Sequence, residues 1–348
     1  MSGDPLLEGE PIERRTDIPV LVLYNVDPAW APAERLAALD GAETLRAALH
    51  GQGHPVVNVA VTDDRVARAL EPFSPAEHVV FNWCEELPGR PRSDAAVARI
   101  LERLNFAYTG SPPDVLASSW DKAATKRLLN RSGVPTPRWR VFQDAGDADC
   151  WERFPAIVKP AFEHSSCGIT PDAVVTDPGA LRSRLAFVSD VFQQPAIVED
   201  FIDGREFHVT LWGNGVVHVL PAAEMNFSAL TNLRDRLCTF DSKFTPGSLH
   251  YEKIELVVPA PLDDAQRNTL NRTAADAYRV SGCRDYARID LRLGGGVYHV
   301  LDINPNADFS QDTSMVYAAE AAGLSYGGIA SWLVNLAAQR HPVFAQGT

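Results

Sequence analysis

The chain has 348 residues, 45% of them hydrophobic, and its 45 acidic and 32 basic side chains give a formal net charge of −13. This length has room for two or three domains with well-filled cores. The negative charge argues against non-specific nucleic-acid binding. Five cysteines without a C-x-x-C pair predict reduced thiols in a cytoplasmic protein. Residues 1–17 are predicted to be a disordered leader, and no apolar run predicts a membrane span.

Strands and helices alternate over the first third of the chain. The predicted strands are 18–26, 56–61 and 78–83, and the predicted helices are 32–53, 64–70 and 92–104. This alternation predicts a doubly wound parallel sheet of the Rossmann-like kind over residues 18–120. No G-x-G-x-x-G follows the first strand, so a dinucleotide site there is unsupported. The predicted core positions of the first helix are Leu36, Leu39, Leu45 and Leu49.

Two glutamates follow the third predicted strand. Ligands of parallel sheets collect beyond the carboxyl ends of the strands. Glu85 and Glu86 stand at that position, and one of them is a candidate for holding a substrate amine. A solvated loop carboxylate explains the same residues equally well.

A lysine near the end of a predicted buried strand is the next candidate. Lys159 ends the apolar strand 154–160, and an ammonium group is rarely buried without a partner. The loop 161–170 has small hydroxylated residues that can hold phosphate oxygens, with Lys159 as a point charge. It differs from a P-loop, because no G-K-[ST] opens a helix. Lys126 lies on a charged amphipathic helix at 121–132, where a lysine is usually solvated.

The segment 196–212 is predicted to form a strand, a turn at Asp203-Gly204 and another strand. A strand edge of this kind can present backbone groups to an adenine, with Glu199 or Glu206 near the ribose hydroxyls. The following segment, 225–253, has few regular signals and several charges. A long loop of this composition is either disordered or a functional lid.

The clearest chemical pattern is a predicted hairpin at 285–310. Its first strand alternates apolar and charged residues, three glycines form the turn, and a more apolar strand returns. Arg288 and Asp290 share one face, as do Asp302 and Asn304. If the strands pair around the glycines, three oxygen ligands meet beside one arginine, a donor set that suits Mg²⁺ or Mn²⁺ with nucleotide phosphates. An ordinary hairpin with a solvated acidic face explains this spacing equally well.

Taken together, these segments resemble the ATP-grasp superfamily and, within it, the D-alanine–D-alanine ligase-like group. The resemblance covers most of the chain from about residue 78 onward, in order and with suitable spacing. The matching segments are Asp121-Lys122 with Lys126, 154–160 with Ser165, Ser166 and Gly168, 198–206, 240–244, and Arg288 with Asp290, Asp302 and Asn304.

The resemblance implies an α/β (α+β) fold of ATP-grasp architecture. Its parts would be an N-terminal Rossmann-like domain at 18–120, a central subdomain at 121–203 and a C-terminal subdomain at 204–348, with nucleotide between the last two. The implied activity is that of an ADP-forming carboxylate–amine ligase, which makes an amide bond through an acyl phosphate. The implied cofactors are ATP and two Mg²⁺ ions, with Mn²⁺ as a substitute. The implied partners are small-molecule carboxylate and amine substrates and a second copy of the chain in a homodimer, with neither nucleic acid nor membrane.

The resemblance also implies roles for individual residues. The implied ATP contacts are Lys126, Lys159, Ser165, Ser166, Glu199, Phe201, Ile202, Glu206 and Lys243. The implied metal ligands are Asp290, Asp302 and Asn304, and the implied catalytic residues are Arg288, Lys243 and Ser166. In this scheme Lys126 and Lys159 hold the α- and β-phosphates, Lys243 reaches the γ-phosphate from a mobile loop, and Arg288 stabilises the tetrahedral intermediate.

Several positions depart from the dipeptide ligases. Asp302 stands where the family usually has glutamate, and Asp308 stands where a glycine helps to receive the second substrate. Phe244 lacks the hydroxyl of the family's lid tyrosine, and His164 replaces a glycine. The segment 82–86 replaces the N-terminal H-G-x-x-G-E-D-G. These departures predict a different acceptor, or ring closure within one substrate, rather than synthesis of cell-wall D-alanyl-D-alanine.

The predicted substrate contacts are Glu85, Glu86, Asp308, Thr313 and Ser314, although the two hydroxyls are also typical of helix caps. Two other classes of protein remain open. A phosphotransferase would release a stable phosphorylated product without needing an amine. A non-catalytic nucleotide-binding protein is disfavoured, because the metal ligands, both lysines and Arg288 occur together.

Overall fold

The computed structural model describes residues 14–164 and 166–347, without the side chains of Lys243, Phe244 and Gln346. Most of the predicted leader, residues 1–13, therefore lies outside the described residues. Its last part, residues 14–17, is attached to the C-terminal end of the chain. The backbone N–H of Arg15 donates to Asn335 Oδ1 over 2.8 Å, and Asn335 Nδ2 donates to the Arg15 carbonyl over 2.9 Å.

Four parallel strands form the N-terminal sheet, in the order β2-β1-β3-β4. The strands are β1 (Val20–Asn25), β2 (Val56–Val61), β3 (Val79–Trp83) and β4 (Ala107–Tyr108). The helices of this part are α1 (Pro32–Gly51), α2 (Val66–Leu70), α3 (Asp94–Arg103) and α4 (Pro113–Ser119). Successive residues of β1 alternate between two separate cores, with Val20 and Val22 on one face and Leu21 and Leu23 on the other. The predicted doubly wound parallel sheet is confirmed.

Helix α1 buries only its second half. Leu45 and Leu49 are fully buried as predicted, but Leu36 and Leu39 are 58% and 44% exposed, so their predicted core positions are wrong. A helix of 20 residues is about 30 Å long, whereas a strand of six residues spans about 20 Å. The first turns of α1 therefore extend beyond the sheet that covers the rest of the helix.

This difference in burial along α1 predicts unequal losses of stability. Leu45→Ala is expected to lower the free energy of unfolding by about 2–5 kcal/mol, because it leaves a cavity in the core. Leu36→Ala should lower it by about 0.5 kcal/mol or less, because the side chain is already largely solvated. Urea unfolding of the two variants measures both values, and equal losses would contradict the described orientation of α1.

The central sheet is antiparallel and has the strand order β5-β8-β6-β7. Its strands are β5 (Trp139–Phe142), β6 (Ala156–Pro160), β7 (Val174–Val175) and β8 (Ala196–Asp200). Helix α5 (Lys122–Arg131) precedes the sheet, and α6 (Pro178–Phe192) packs on it. Asp121 and Asp177 cap these two helices, accepting hydrogen bonds from the N–H groups of Ala124 and Ala180.

The C-terminal sheet has the order β12-β11-β9-β13-β14, with β10 paired to β9. Its strands are β9 (Glu206–Trp212), β10 (His218–Val219), β11 (Ala223–Asn226), β12 (Glu255–Val257), β13 (Tyr286–Gly294) and β14 (Val297–Pro305). The helices are α7 (Asp241–Phe244), α8 (Leu249–Lys253), α9 (Asp264–Ser281), α10 (Ser314–Ala321) and α11 (Tyr326–Ala338). Helix α9 covers this sheet, whereas α10 and α11 pack into the core beside α1 and β1. Helices α7 and α8 occupy part of the predicted lid segment.

The turn between β8 and β9 connects two different sheets. Because β8 belongs to the central sheet and β9 to the C-terminal sheet, the predicted strand–turn–strand segment is not a hairpin. The turn lies directly against the backbone of β13, and a Cβ atom on Gly204 would come within 1.8 Å of the Leu293 carbonyl oxygen. Only glycine, which has no Cβ atom, lets the turn come this close to β13. The central and C-terminal sheets therefore meet at this turn and face each other across a cleft.

Strands β13 and β14 pair around the glycine turn as predicted. Arg288 lies opposite Asn304 and Asp290 lies opposite Asp302, with an irregularity in the register directly after Asp290. This pairing confirms that the hairpin gathers the arginine, the two carboxylates and the amide at one end of the C-terminal sheet.

A buried carboxylate joins the N-terminal and C-terminal sheets. Asp285 is fully buried and accepts hydrogen bonds from the Gly110 N–H and from Asn214 Nδ2, both over 2.8 Å. Arg340 binds the same carboxylate through two nitrogens, at 2.7 and 2.8 Å. The predicted domain limits at 120 and 203 stay a prediction. Within the described ranges, no helix is both long and apolar enough to cross a membrane.

Candidate active site

A cleft of about 850 Å³ lies between the central and C-terminal sheets. Strands β6 and β8 form one wall, and β9, β13 and β14 form the other. The predicted site residues that it brings together are Lys159, Ser166, Glu199, Phe201, Ile202, Glu206, Asp290 and Asp302. Cations, carboxylates and apolar side chains thus line one space, as binding of a nucleotide and a metal requires.

Lys126 does not reach this cleft. Its side chain is 1% exposed, and Nζ donates to Thr136 Oγ1, the Val300 carbonyl and the Leu301 carbonyl over 2.8, 3.1 and 2.9 Å. Burial lowers the pKa of Lys126 to about 8, although the Glu199 carboxylate, 3.4 Å away, acts in the opposite direction. Because all three ammonium protons have acceptors inside the protein, the predicted phosphate contact of Lys126 is corrected to a structural role between α5 and β14.

Lys122, one turn earlier on α5, lines the cleft instead. Its Nζ donates to the Glu163 carbonyl, and burial lowers its pKa although Asp302 acts to raise it. The sequence analysis named Lys122 as part of the matching Asp121-Lys122 segment but assigned it no role. Helical spacing gave no means of choosing between the two lysines, because Lys122 stands four residues before Lys126 and seven before Leu129, on the same face of α5.

Lys159 extends into the cleft from β6 and pairs with a buried glutamate. Its Nζ lies 3.2 Å from Glu199 Oε2. Burial acts to raise the pKa of Glu199, but the ammonium groups of Lys126 and Lys159 outweigh it and hold the pKa below its ordinary value. Glu199 Oε1 is buried and has no hydrogen-bond partner among the described residues. An ionised carboxylate with an open oxygen suits a ligand that donates a hydrogen bond, such as the amino group of adenine.

Arg292 is a second site residue that sequence reasoning missed. Its Nε lies 2.6 Å from Glu206 Oε2, its Nη1 donates to the Ile202 carbonyl over 2.9 Å, and its guanidinium carbon lies 4.9 Å from the centre of the Phe201 ring. Burial acts to raise the pKa of Glu206, but Arg292 and His208 hold it well below its usual range. Three predicted ATP contacts are therefore arranged around one guanidinium. The signal was present, since Arg292 continues the alternation of Arg288 and Asp290 along β13.

The predicted metal ligands and Arg288 lie together on β13 and β14. Asp290 accepts from Arg288 Nε and Nη2 over 2.7 and 3.0 Å, and from Asn304 Nδ2 over 3.0 Å. Burial acts to raise the pKa of Asp302, but Lys122 and His164 hold it below its ordinary value. Two ionised carboxylates beside an amide oxygen provide the hard oxygen donors that Mg²⁺ prefers. A metal on Asp290 requires the carboxylate to be shared with, or released by, Arg288.

The loop after β6 contributes Ser166 and His164. Ser166 lines the cleft, and its Oγ donates to the Cys238 carbonyl over 3.0 Å. His164 packs edge-on against Trp120 at 4.3 Å between ring centres, and burial lowers its pKa to about 4, so it is neutral near pH 7. Ser165 lies outside the described residues, as does the side chain of Lys243, although the backbone of Lys243 belongs to α7.

The predicted substrate residues lie outside the lining of this cleft, although Ser314 contacts His208, which lines it. Among the described side chains, those that line it do not include Glu85, Glu86, Asp308, Thr313 or Ser314. Asp308 Oδ1 accepts from the N–H and the hydroxyl of Ser310 over 2.9 and 2.8 Å. Thr313 Oγ1 donates to the Ser310 carbonyl over 2.9 Å instead of capping α10, and Ser314 Oγ lies 3.2 Å from His208 Nδ1.

Glu85 and Asp308 nevertheless influence each other across two adjoining loops. The loops follow β3 and β14, and the rings of Phe81 and Phe309 pack at 5.1 Å beneath them. The Glu85 side chain is exposed at the surface but closely surrounded by protein groups, and this crowding, with repulsion from Asp308 and Glu86, raises its pKa to about 7. Burial, with repulsion from Asp27, likewise raises the pKa of Glu86. The carboxylates of these loops make this part of the surface negatively charged.

The three sheets, with the β13–β14 hairpin across the cleft from β6 and β8, define the ATP-grasp class of enzymes. The chain has the fold of the D-alanine–D-alanine ligase of Bacillus anthracis, solved in complex with ATP, with a TM-score of 0.70 and 19% identity. That likeness covers 95% of this chain and 100% of the other.

The family described as D-ala D-ala ligase C-terminus matches residues 128–335. The D-alanine–D-alanine ligase of Desulforudis audaxviator is 32% identical over 88% of this chain and 96% of that protein. An uncharacterized protein of Sinorhizobium fredii, y4sG, is 33% identical over 91% of this chain and 92% of that protein. The chain therefore belongs to the D-alanine–D-alanine ligase family of ATP-grasp enzymes, and it is an ADP-forming carbon–nitrogen ligase.

Proposed function

We propose that this ligase joins a small carboxylate to an amine other than D-alanine. The observation that carries the proposal is the negatively charged surface around Glu85 and Asp308. Asp308 stands where the family usually has a glycine that helps to receive the second substrate. A carboxylate-bearing acceptor would be repelled there, whereas a cationic amine would be attracted. An amine without a neighbouring carboxylate, or an amine within the same molecule as the activated carboxylate, suits this surface.

In the proposed site, nucleotide lies between residues 121–203 and 204–348. Lys122 and Lys159 bind phosphate oxygens, and Glu199 Oε1 accepts a hydrogen bond from the adenine amino group. Asp290, Asp302 and Asn304 would hold two Mg²⁺ ions, or Mn²⁺ in their place, and bound metal neutralises the charge of the phosphate oxygens. Ser166, and Lys243 from the segment above the cleft, complete the contacts to the terminal phosphate.

The proposed reaction has two steps. An oxygen of the substrate carboxylate attacks the γ-phosphorus, the bond to ADP breaks, and an acyl phosphate forms. The amine nitrogen then attacks the acyl carbon and loses a proton, and phosphate leaves as the amide forms. Arg288, once it releases Asp290, stabilises the negative oxygen of the tetrahedral intermediate. Closure of the segment that carries Lys243 excludes water from the acyl phosphate.

ADP release with ATP and Mg²⁺ tests the proposal across a panel of amino acids and amines, offered singly and in pairs, with products identified by mass. ADP release that needs two compounds and gives their summed mass minus water supports ligation between molecules. Release with one compound, and a product lighter by one water, supports ring closure. D-alanine accepted as well as every other amine would contradict the distinct acceptor. A phosphorylated product formed without an amine would favour the phosphotransferase class, and ATP binding without ADP release would favour the non-catalytic class.

The raised pKa of Glu85 predicts a pH-dependent affinity for cationic substrates. Below about pH 7 Glu85 is protonated and neutral, and above it the carboxylate is charged. An alkyl amine with a pKa of about 10 stays protonated throughout this range, so KM for such a cationic substrate should fall by about tenfold as the pH rises through 7. Glu85→Gln should remove that fall and leave KM at its low-pH value. KM measured from about pH 5.5 to 8.5 checks this, and the same profile in both proteins would exclude Glu85 from substrate binding.

A further inference from the structure

We propose that Glu206, His208 and Cys238 form a binding site for a thiophilic divalent metal such as Zn²⁺, distinct from the predicted Mg²⁺ ligands. One ligand atom from each residue, a carboxylate oxygen, a ring nitrogen and the thiol sulfur, lies within 4.8 Å of the others. The three residues also line the cleft between the central and C-terminal sheets. Nothing in the proposed ligase chemistry requires a histidine and a cysteine at this place.

The backbone places two of these ligands on one face of a strand. Glu206 and His208 are alternate residues of β9, so their side chains point to the same side of the sheet. Their ligand atoms, Glu206 Oε1 and His208 Nε2, are 3.7 Å apart. Tetrahedral sites with bonds of about 2.0–2.3 Å hold their ligand atoms about 3.3–3.8 Å apart. This pair already has that spacing, and Cys238, which enters from the segment between β11 and α7, needs to move by only about 1 Å.

The other polar atoms of both buried ligands are already held by neighbours. Glu206 Oε2 is bound by Arg292 Nε at 2.6 Å, which leaves Oε1 directed toward His208. His208 Nδ1 lies 3.2 Å from Ser314 Oγ, which leaves Nε2 toward the cluster. Outer contacts of this kind orient the ligands of protein metal sites and increase their affinity.

The donor set determines the kind of metal. Imidazole nitrogen and thiolate sulfur favour Zn²⁺, Co²⁺ and Cu⁺, whereas the all-oxygen set of Asp290, Asp302 and Asn304 favours Mg²⁺. Binding therefore converts the thiol of Cys238 to a thiolate and releases its proton to solvent.

Occupancy of this site would interfere with the nucleotide site. His208 Nε2 lies 3.9 Å from Asp290 Oδ1, so a metal held by His208 adjoins a predicted Mg²⁺ ligand. Zn²⁺ should therefore compete with MgATP for the cleft. The competing explanation of the cluster is that His208 makes only polar contacts with Glu206 and Asp290 and binds no metal.

Titration of the metal-free, full-length protein with Co²⁺ distinguishes the two explanations. A thiolate-to-Co²⁺ charge-transfer band in the near ultraviolet is expected, and Zn²⁺ should displace it. Cys238→Ser should abolish the band and weaken Zn²⁺ binding, measured by calorimetry, by at least about 100-fold. His208→Gln should weaken binding similarly while Cys238 still gives a band at high Co²⁺. Cys167→Ser is the matched control, because Cys167 lines the same cleft outside the cluster, and it should keep the band.

One further variant and two contrary outcomes make the test decisive. Asp302→Asn should retain the band, because Asp302 belongs to the Mg²⁺ ligands and not to this cluster. Absence of the band in the unchanged protein, or a band that survives Cys238→Ser, would overturn the proposal. The contacts of His208 with Glu206 and Asp290 would then explain the cluster. Circular dichroism of each variant shows that a lost band does not reflect a lost fold. None of these measurements depends on turnover, so the result stands apart from the ligase proposal.

Discussion

Asp302→Asn is expected to lower turnover by at least about 100-fold while the protein stays folded. The substitution removes one of two carboxylates proposed to hold Mg²⁺ and keeps the size of the side chain. Among the described residues, the Asp302 carboxylate accepts one hydrogen bond, from the N–H of the next residue, Ile303, over 3.0 Å. An asparagine side chain can accept the same hydrogen bond. The turnover number with saturating ATP measures the effect, and raising the Mg²⁺ concentration should restore part of the activity.

Asp302 tests the metal assignment more cleanly than Asp290 does. Asp290 is bound to the partly buried Arg288, and breaking a pair withdrawn from solvent costs up to about 3–5 kcal/mol of stability, so an inactive Asp290→Asn protein could be a misfolded one. Asp147→Asn, on an exposed 3₁₀ helix, is the control for the substitution itself. Near-normal turnover of Asp302→Asn at low Mg²⁺ would mean that the hairpin carboxylates do not hold the catalytic metal.

Lys126→Met should lower the free energy of unfolding by about 3–5 kcal/mol. The buried ammonium group serves three oxygen acceptors and also faces Glu199, which would keep only Lys159 as a partner. Methionine fills a similar volume, so the loss measures the charge and its hydrogen bonds. Urea unfolding monitored by circular dichroism gives the value.

Lys122→Met is the matched comparison on the same helix. It should change stability by about 1 kcal/mol or less, because Lys122 is less buried and faces the cleft. It should raise KM for ATP by about tenfold or more, because a charge-assisted contact to phosphate is lost. If Lys126→Met instead stays fully stable and raises KM for ATP while Lys122→Met does not, the sequence-based assignment of Lys126 to the phosphates is right.

The sequence by itself determined the features that follow from short-range backbone geometry. A period of two residues and three glycines were enough to predict the β13–β14 hairpin and its opposed pairs, because the partners lie within about fifteen residues of each other. Alternating strands and helices were enough to predict the parallel N-terminal sheet, because such connections restrict the topology.

Only the tertiary structure decided which residues face each other across those elements. The choice between Lys122 and Lys126 depends on which turn of α5 packs against β14, and the burial of Leu36 depends on where the sheet beneath α1 ends. Arg292 pairs with Glu206, 86 positions away, through the pairing of β13 with β9. Such contacts form by packing between distant segments, and no local period encodes them. The cluster of His208 and Cys238 is visible for the same reason only after the chain has folded.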